Sequence, residues 1–301
     1  MQITFTKYAI RVEGNKVKLS LSKSMQEKFK VKSLNFLIPS KLKKRIDFSS
    51  IKMLKVEKQD KNYEIVFIYE KEEKESIGSN TMAIDLGLNN LAACVTANEE
   101  EKLIIAGEGI KSKLGYLRKE ISRLQGIEMK KNGSQKYKNT KRIKKLYEQR
   151  RSYINTNMHK ASRAIIEYAK RNNCNTIVIG DIKNIKYEMK KNKEFVEMPI
   201  QELVQKIEYK AKLEGIEVEK IGEEYTSGVS AIDKEEIVKE NYNKARRIKR
   251  GLFKTNEGKI INADINGSLN ILRKYIKSYI PNLEIAMDNG REQRPIKKRV
   301  A

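Results

Sequence analysis

Soft metal-binding side chains are almost absent from this chain: 301 residues contain two cysteines, Cys94 and Cys174, and one histidine, His159. Two cysteines in separate apolar settings can form neither a disulfide framework nor a four-cysteine zinc site. Both read as small buried hydrophobes. A single histidine excludes enzymes built on paired His ligands, and any Ser-His-Asp or Cys-His enzyme in which His159 is not the base. His159 falls in a helical stretch with Ala161, Ala164 and Ile165, where a structural histidine is expected. Long apolar runs are missing as well. None approaches the ~18 residues of a membrane span, and Met1–Gln2–Ile3–Thr4–Phe5 does not lead from a charged region into a greasy one. The expected setting is the cytoplasm, with no membrane partner.

Negative charge is the remaining scarcity. Thirty-nine acidic residues face 64 Lys and Arg, a formal charge of +25, which is self-repelling unless a polyanion is the working partner. The excess is clustered. Between Lys111 and Arg151 there are 15 basic residues against Glu120, Glu128 and Glu148, and from Lys239 to Lys254 seven against Glu240. Nucleic acid is the expected partner. The candidate contacts are Lys141, Arg142, Lys144, Lys145, Arg150 and Arg151 in the first cluster, and Arg246, Arg247, Lys249 and Arg250 in the second.

Residues 1–75 alternate and turn in the manner of strands: Gln2–Ile3–Thr4–Phe5, Lys16 to Leu21, Ile51 to Val56 and Tyr63 to Tyr69, a small antiparallel barrel or sheet. A polar run from Glu70 to Ser79 reads as a linker. Three short strands follow, at 81–86, 91–96 and 102–106, with connections short enough for hairpins. Leu114, Leu117, Ile121 and Leu124 recur at helical spacing. After Asn132–Gly133–Ser134 a second helix is expected from about Asn139 to Ala169. A fourth strand (176–179) is apolar throughout and so buried on both faces. A helix over 200–214, a fifth strand over 216–221 and a helix over 263–279 complete the order β-β-β-α-β-α-β-α. That is the order of the α/β ribonuclease H-like fold, three antiparallel strands extended by two parallel ones.

Two apolar segments end in an aspartate: Thr81–Met82–Ala83–Ile84–Asp85–Leu86–Gly87 and Ile261–Asn262–Ala263–Asp264–Ile265–Asn266–Gly267. In that topology the carboxyl ends of strands one, four and five point to one rim, and a helix opened by Asp264 can pack across it. Carboxylates held close together repel unless cations lie between them. A pair of Mg²⁺ or Mn²⁺ ions would satisfy both, activate a water and steady the leaving oxygen of a phosphodiester.

These residues resemble a known family. Ala83–Ile84–Asp85–Leu86–Gly87–Leu88–Asn89–Asn90–Leu91–Ala92 looks like the first RuvC motif of TnpB, the OrfB protein of insertion sequences and relative of type V CRISPR effectors. Asn262–Ala263–Asp264–Ile265–Asn266–Gly267–Ser268–Leu269–Asn270–Ile271 looks like the third. Asn157–Met158–His159–Lys160–Ala161–Ser162, Tyr225–Thr226–Ser227 and Arg247–Ile248–Lys249–Arg250–Gly251–Leu252–Phe253 match further landmarks. The resemblance spans about residues 80–275. It implies a transposon-associated, RNA-guided DNA endonuclease in a prokaryotic cell, nucleoid-associated, with a guide RNA from the transposon end and a double-stranded DNA target as partners.

The implied domains are 1–79, a partial wedge-like β-barrel for nucleic-acid binding with its linker; 80–280, a RuvC-like nuclease domain with a helical hairpin at 111–172 and a basic insert at 228–260; and 281–301, a basic tail. Three departures shape the expectation. Where family members carry a glutamate at the end of strand four, this chain has Val178–Ile179–Gly180–Asp181. Asp181 is one residue late and should face away. Strand five ends in Gly222–Glu223–Glu224–Tyr225–Thr226–Ser227, and matching its landmark makes Glu223 the second carboxylate, with Glu224 next. The expected metal and catalytic set is Asp85, Glu223 and Asp264. Many relatives place a zinc ribbon between the second and third motifs, but residues 228–261 contain no cysteine, so zinc is not expected. Residues 1–75 resemble only the later strands of the family's barrel, which reads as an N-terminally short protein. The alternatives are a cleavage-deficient RNA-guided DNA-binding protein or a truncated transposase-accessory remnant. An actin-like ATPase, which shares the Ile-Asp-Leu-Gly signature, would need a second glycine-rich phosphate loop that the chain lacks.

Overall fold

Alternation decides the first element set. In β3 (Lys16–Ser20) Val17 and Leu19 are buried between exposed neighbours, so one face of the strand is apolar and the other wet. The computed structural model describes residues 2–43, 46–59, 62–76, 78–98, 101–133, 135–181, 198–249, 251–279, 287–288, 291–292 and 295–300, and divides into two units, 1–72 and 73–301. The first unit holds two three-stranded antiparallel sheets. One orders β1 (Gln2–Thr6), β5 (Ile51–Gln59) and β6 (Asn62–Tyr69); the other orders β2 (Ile10–Glu13), β3 and β4 (Ser33–Leu37). Phe5, Val17, Leu19, Leu21, Ile38 and Leu54 form their core, with Phe36 and Phe48 against the ring of Phe67. β2 and β4 were not expected from the sequence pattern. They are short and half-exposed, so their alternation is weak. Helices α1 (Lys23–Phe29) and α2 (Ser40–Lys43) of this unit are short, about two turns and one.

The second unit is built on a mixed sheet. Strands β7 (Asn80–Leu86), β8 (Asn90–Thr96) and β9 (Lys102–Ala106) are antiparallel; β10 (Cys174–Asp181) lies parallel to β7, and β11 (Glu217–Gly222) parallel to β10. This is the ribonuclease H-like arrangement expected from the element order. A sixth strand extends it. Within the expected basic tail, residues 296–299 form a strand parallel to β9 on the far edge, giving the order β11-β10-β7-β8-β9 and then 296–299. All four of its residues are exposed, so no alternation marks it; the open edge of β9 recruits it.

Helices cover both faces. Over one face lie α3 (Glu108–Lys131), α4 (Lys141–Arg171) and α5 (Ile200–Leu213), packing Ile110, Leu114, Met158, Ile165, Leu203 and Ile207 against Met82, Ile84, Ile177 and Ile179. Thr140 caps α4, its hydroxyl accepting from the Ile143 amide at 3.3 Å. The other face is covered by α6 (Ala263–Tyr275), whose Ile265, Leu269 and Leu272 meet Ala83, Ala93, Val95 and Val178. A hairpin of β12 (Leu252–Lys254) and β13 (Ile260–Asn262) delivers the chain into α6. Among the described residues no helix is long and apolar enough to cross a membrane.

Candidate metal centre

Side-chain parity places the acidic groups. Ala83 faces α6, so Asp85, two residues on, faces it too. On β10 Val178 faces α6, so Gly180 does as well, while Asp181 belongs to the opposite parity. On β11, Ile221 packs on the α6 side and is the register partner of Gly180. Glu223 continues the parity of Ile221 just past the strand end. Asp85, the bare backbone of Gly180 and Glu223 therefore line one side of a cleft, with α6 as its other wall.

Two glycines make room for the carboxylates. A Cβ built on Gly180 would come within 2.7 Å of both Cγ and Cδ of Glu223. The Glu223 side chain thus lies where a side chain at position 180 would begin. Gly267, one turn into α6, does the same for Asp85: a Cβ there would stand 2.5 Å from Asp85 Oδ2. Asp264 is set by the helix start. Asn262 caps α6, its Oδ1 accepting from the amides of Asp264 at 3.0 Å and Ile265 at 3.1 Å, which puts Asp264 in the first turn, where the helix dipole favours an anion. Its Oδ2 accepts from Asn90 Nδ2 at 2.7 Å, and its Oδ1 lies 3.7 Å from Arg247 Nη2.

The electrostatics fit a cluster of like charge. Burial, reinforced by the charges of Glu223 and Asp264 and opposed by Arg247, pushes the Asp85 carboxyl well above the usual range. Burial also raises Glu223, to about 7, with Asp181 and Glu224 adding to the effect. Among the described residues Glu223 Oε1 is buried without a hydrogen-bond partner. Such an acceptor is costly unless a donor or a cation reaches it. Glu224 is differently placed: Lys274 holds its carboxylate at 2.9 Å, it is exposed, and that hydrogen bond lowers its pKa. As they stand, no three acidic, His or Cys side chains among the described residues are gathered tightly enough to share one ion. The donor set nevertheless fits hard divalent cations: oxygen-only ligands, an orphaned buried carboxylate oxygen on Glu223, and three carboxyls with Arg247 as the positive charge beside them.

Several supporting residues escaped the sequence reading. Asn90 orients Asp264. Asn266 and Asn270 are buried on α6. Asn266 Oδ1 accepts from Ala231 N at 2.9 Å and its Nδ2 donates to Val229 O; Asn270 Nδ2 donates to Thr226 O and Val229 O at 2.8 and 2.7 Å. Together they tie the loop after β11, and with it Glu223, onto the helix. Two asparagines four residues apart, on one face of the helix among Ile265, Leu269 and Leu272, were the signal available.

The basic candidates divide. Lys141, Arg142, Lys144, Lys145 and Arg151 are exposed on α4 and Arg150 is half-buried, with Arg142 also donating to Glu120 at 3.2 Å. Arg246 is committed inside the insert, paired through both terminal nitrogens with Glu235 at 2.5 and 2.8 Å and lying over Phe253. Glu235 also accepts from the Ser230 amide at 2.8 Å and Asn256 Nδ2 at 2.6 Å, so a carboxylate knits the insert together. Arg247 stands at the acidic cleft, Lys249 is exposed, and Arg250 lies outside the described residues. His159, away from the cleft, has Nδ1 3.4 Å from Tyr209 Oη, and both cysteines are buried.

Residues 54–186 match the family model OrfB_IS605, described as a probable transposase, and residues 201–271 match Cas12f1-like, TNB domain. The two matches support a TnpB-like family. Among solved structures it is similar to a chain of "Cryo-EM structure of the Cas12f1-sgRNA-target DNA complex", with a TM-score of 0.57 and 18% identity over 90% of this chain and 58% of that one. A second, "Cryo-EM structure of CRISPR-Cas12f Ternary Complex", matches with a TM-score of 0.48 and 18% identity over 90% and 63%. The chain therefore spans less than two thirds of the length of either. No curated protein matches it. The structural likeness shows the fold, and the roles of individual residues rest on the geometry above.

Proposed function

We propose that this protein is an RNA-guided DNA endonuclease of the TnpB type, associated with a transposable element and acting on double-stranded DNA in the cytoplasm of a prokaryote, at the nucleoid. The observation that carries the reading is the Glu223 carboxylate lying over Gly180, with an unpartnered buried oxygen, on the same sheet face as Asp85 and opposite Asp264. It supports a chain that has moved its second acid rather than lost it, which favours a nuclease over a binding protein without cleavage.

Asp85, Glu223 and Asp264 would hold Mg²⁺ or Mn²⁺, two ions in the usual scheme, and no zinc. Bound there, the ions supply an activated water and a counter-charge for the leaving oxygen of the phosphodiester. Asn90 keeps the Asp264 carboxylate in place, and Arg247 offers a fixed guanidinium to the phosphate entering the cleft. The exposed bases of α4, with Arg247 and Lys249, grip the backbone of the RNA–DNA duplex without reading its sequence. The 1–72 unit adds a further nucleic-acid surface.

The test is cleavage of a plasmid by the full chain purified with its bound RNA, once that RNA has been sequenced to choose the matching target. Mg²⁺-dependent cuts are expected in the wild type, with none above background in Asp85→Asn or Glu223→Gln and near-normal cutting in Glu224→Gln. Full activity in Glu223→Gln would remove β11 from the mechanism, and absence of a discrete RNA would remove the guide.

A further inference from the structure

Two tyrosines in the chain that follows Glu223 are displayed at the surface, the first at the expense of the backbone that carries it. Tyr225, two residues after Glu223, has φ +65°, in the left-handed region that suits glycine or asparagine and disfavours an aromatic side chain. Its turn is held firmly: the Thr226 amide and hydroxyl donate to Glu223 O at 3.1 and 2.8 Å, and Asn270 donates to Thr226 O. The Tyr242 ring packs against Gly228, where a Cβ would come 2.5 Å from ring carbon Cδ2, so that glycine leaves room for the ring. The two rings meet edge-on at 6.0 Å and 66°, yet remain 38% and 39% exposed. A pair serving only the core would be covered. Strain kept at a surface next to a reactive site is the pattern of a binding element.

Chain continuity ties this pair to the acidic cleft. Tyr225 is linked through one residue to Glu223. From Tyr242 the chain passes the exposed Lys244 to Arg247, whose guanidinium reaches Asp264. Exposed aromatic faces flanked by cations and adjoining a phosphodiester-cutting cleft have the composition of a single-strand platform, since every base has a π-face and duplex bases are already stacked on both sides.

We propose that Tyr225 and Tyr242 form a stacking platform for an unpaired base of the DNA strand entering the acidic cleft. The inference rests on the nuclease reading for its choice of DNA, but it concerns binding and is tested without cleavage. The full chain is mixed, in Ca²⁺ and without Mg²⁺, with single-stranded oligodeoxynucleotides carrying 2-aminopurine at successive positions. Quenching at one position is expected for the wild type, Tyr225→Phe and Tyr242→Phe. Tyr225→Leu and Tyr242→Leu, which keep apolar bulk, should lose the quench and bind about ten-fold more weakly. An abasic residue at the quenched position should weaken the wild type by a similar factor and add nothing to the Leu variants. Leu variants that quench and bind like the wild type, an abasic penalty that survives in them, or a wild type that binds without quenching or not at all would each overturn the platform. Plasmid cleavage in Mg²⁺ reports separately on the nuclease: cutting without stacking removes only the platform, and stacking without cutting removes only the nuclease.

Discussion

Glu223 prefers its proton in the folded chain, about 7 against an ordinary 4.5, because burial removes the solvation its charged form needs. A carboxyl raised in this way contributes stability that is fully present below the unfolded value of 4.5 and is lost as the pH rises through 7. Asp85, raised for the same reason, acts in the same direction. The metal-free protein is therefore expected to lose several degrees of melting temperature between about pH 5 and 8 relative to Glu223→Gln, in which the proton cannot leave. Millimolar Mg²⁺ should abolish that difference at pH 8 by compensating the charges. Thermal scans of both proteins across pH, with and without Mg²⁺, make the comparison; parallel curves would show that burial does not raise the Glu223 carboxyl. Position 180 shows what a single residue can hide. Glycine there reads as the loss of an acid, and only its register opposite Ile221 makes it the space that Glu223 occupies.

At the scale of elements, α6 is the organiser. Ser268 Oγ donates to Ala93 O at 2.8 Å, strapping the helix to β8, while Asn266 and Asn270 hold the 223–231 loop. Replacing Asn270 with Leu would leave Thr226 O without its donor, a loss of about 2 kcal/mol for a buried acceptor. For a unit of this size that lowers the melting temperature by about 4–8 °C. Cleavage measured well below that temperature should fall as well, because the loop that carries Glu223 is no longer fixed; calorimetry beside the plasmid assay separates the two effects. The long helices and the five main strands were legible as apolar periodicity, since a buried stripe imposes its own period. The 252–262 hairpin was not. Its strands are three residues long with one buried apolar side chain each, Phe253 and Ile261, and Asn256 between them is held by Glu235, so the stretch is too short to show a period.

For the molecule as a whole, +25 charges make salt the controlling variable. Affinity for double-stranded DNA should fall steeply with ionic strength, roughly 0.9 of a log–log unit for each phosphate neutralised. Replacing Lys144 and Lys145, both exposed on α4, with Gln should make that slope shallower by roughly two, whatever the DNA sequence. Fluorescence anisotropy over a salt series measures it, and an unchanged slope would place the contact surface elsewhere. Charge clustering located the basic faces but could not tell a free guanidinium from an engaged one. Arg246 and Arg247 are neighbours in sequence; one is spent on Glu235, the other stands at the acidic cleft.

Sequence alone determined the α/β order, the two aspartate motifs and the clustered positive charge, because periodicity, short motifs and net charge are local or additive properties. Tertiary structure alone decided that Glu223 fills the space at Gly180, that Glu224 turns to Lys274, that Asn90 reaches Asp264, and that residues 296–299 close a sheet edge. Each of these depends on which strands become neighbours and in what register, and no stretch of the chain carries that information by itself.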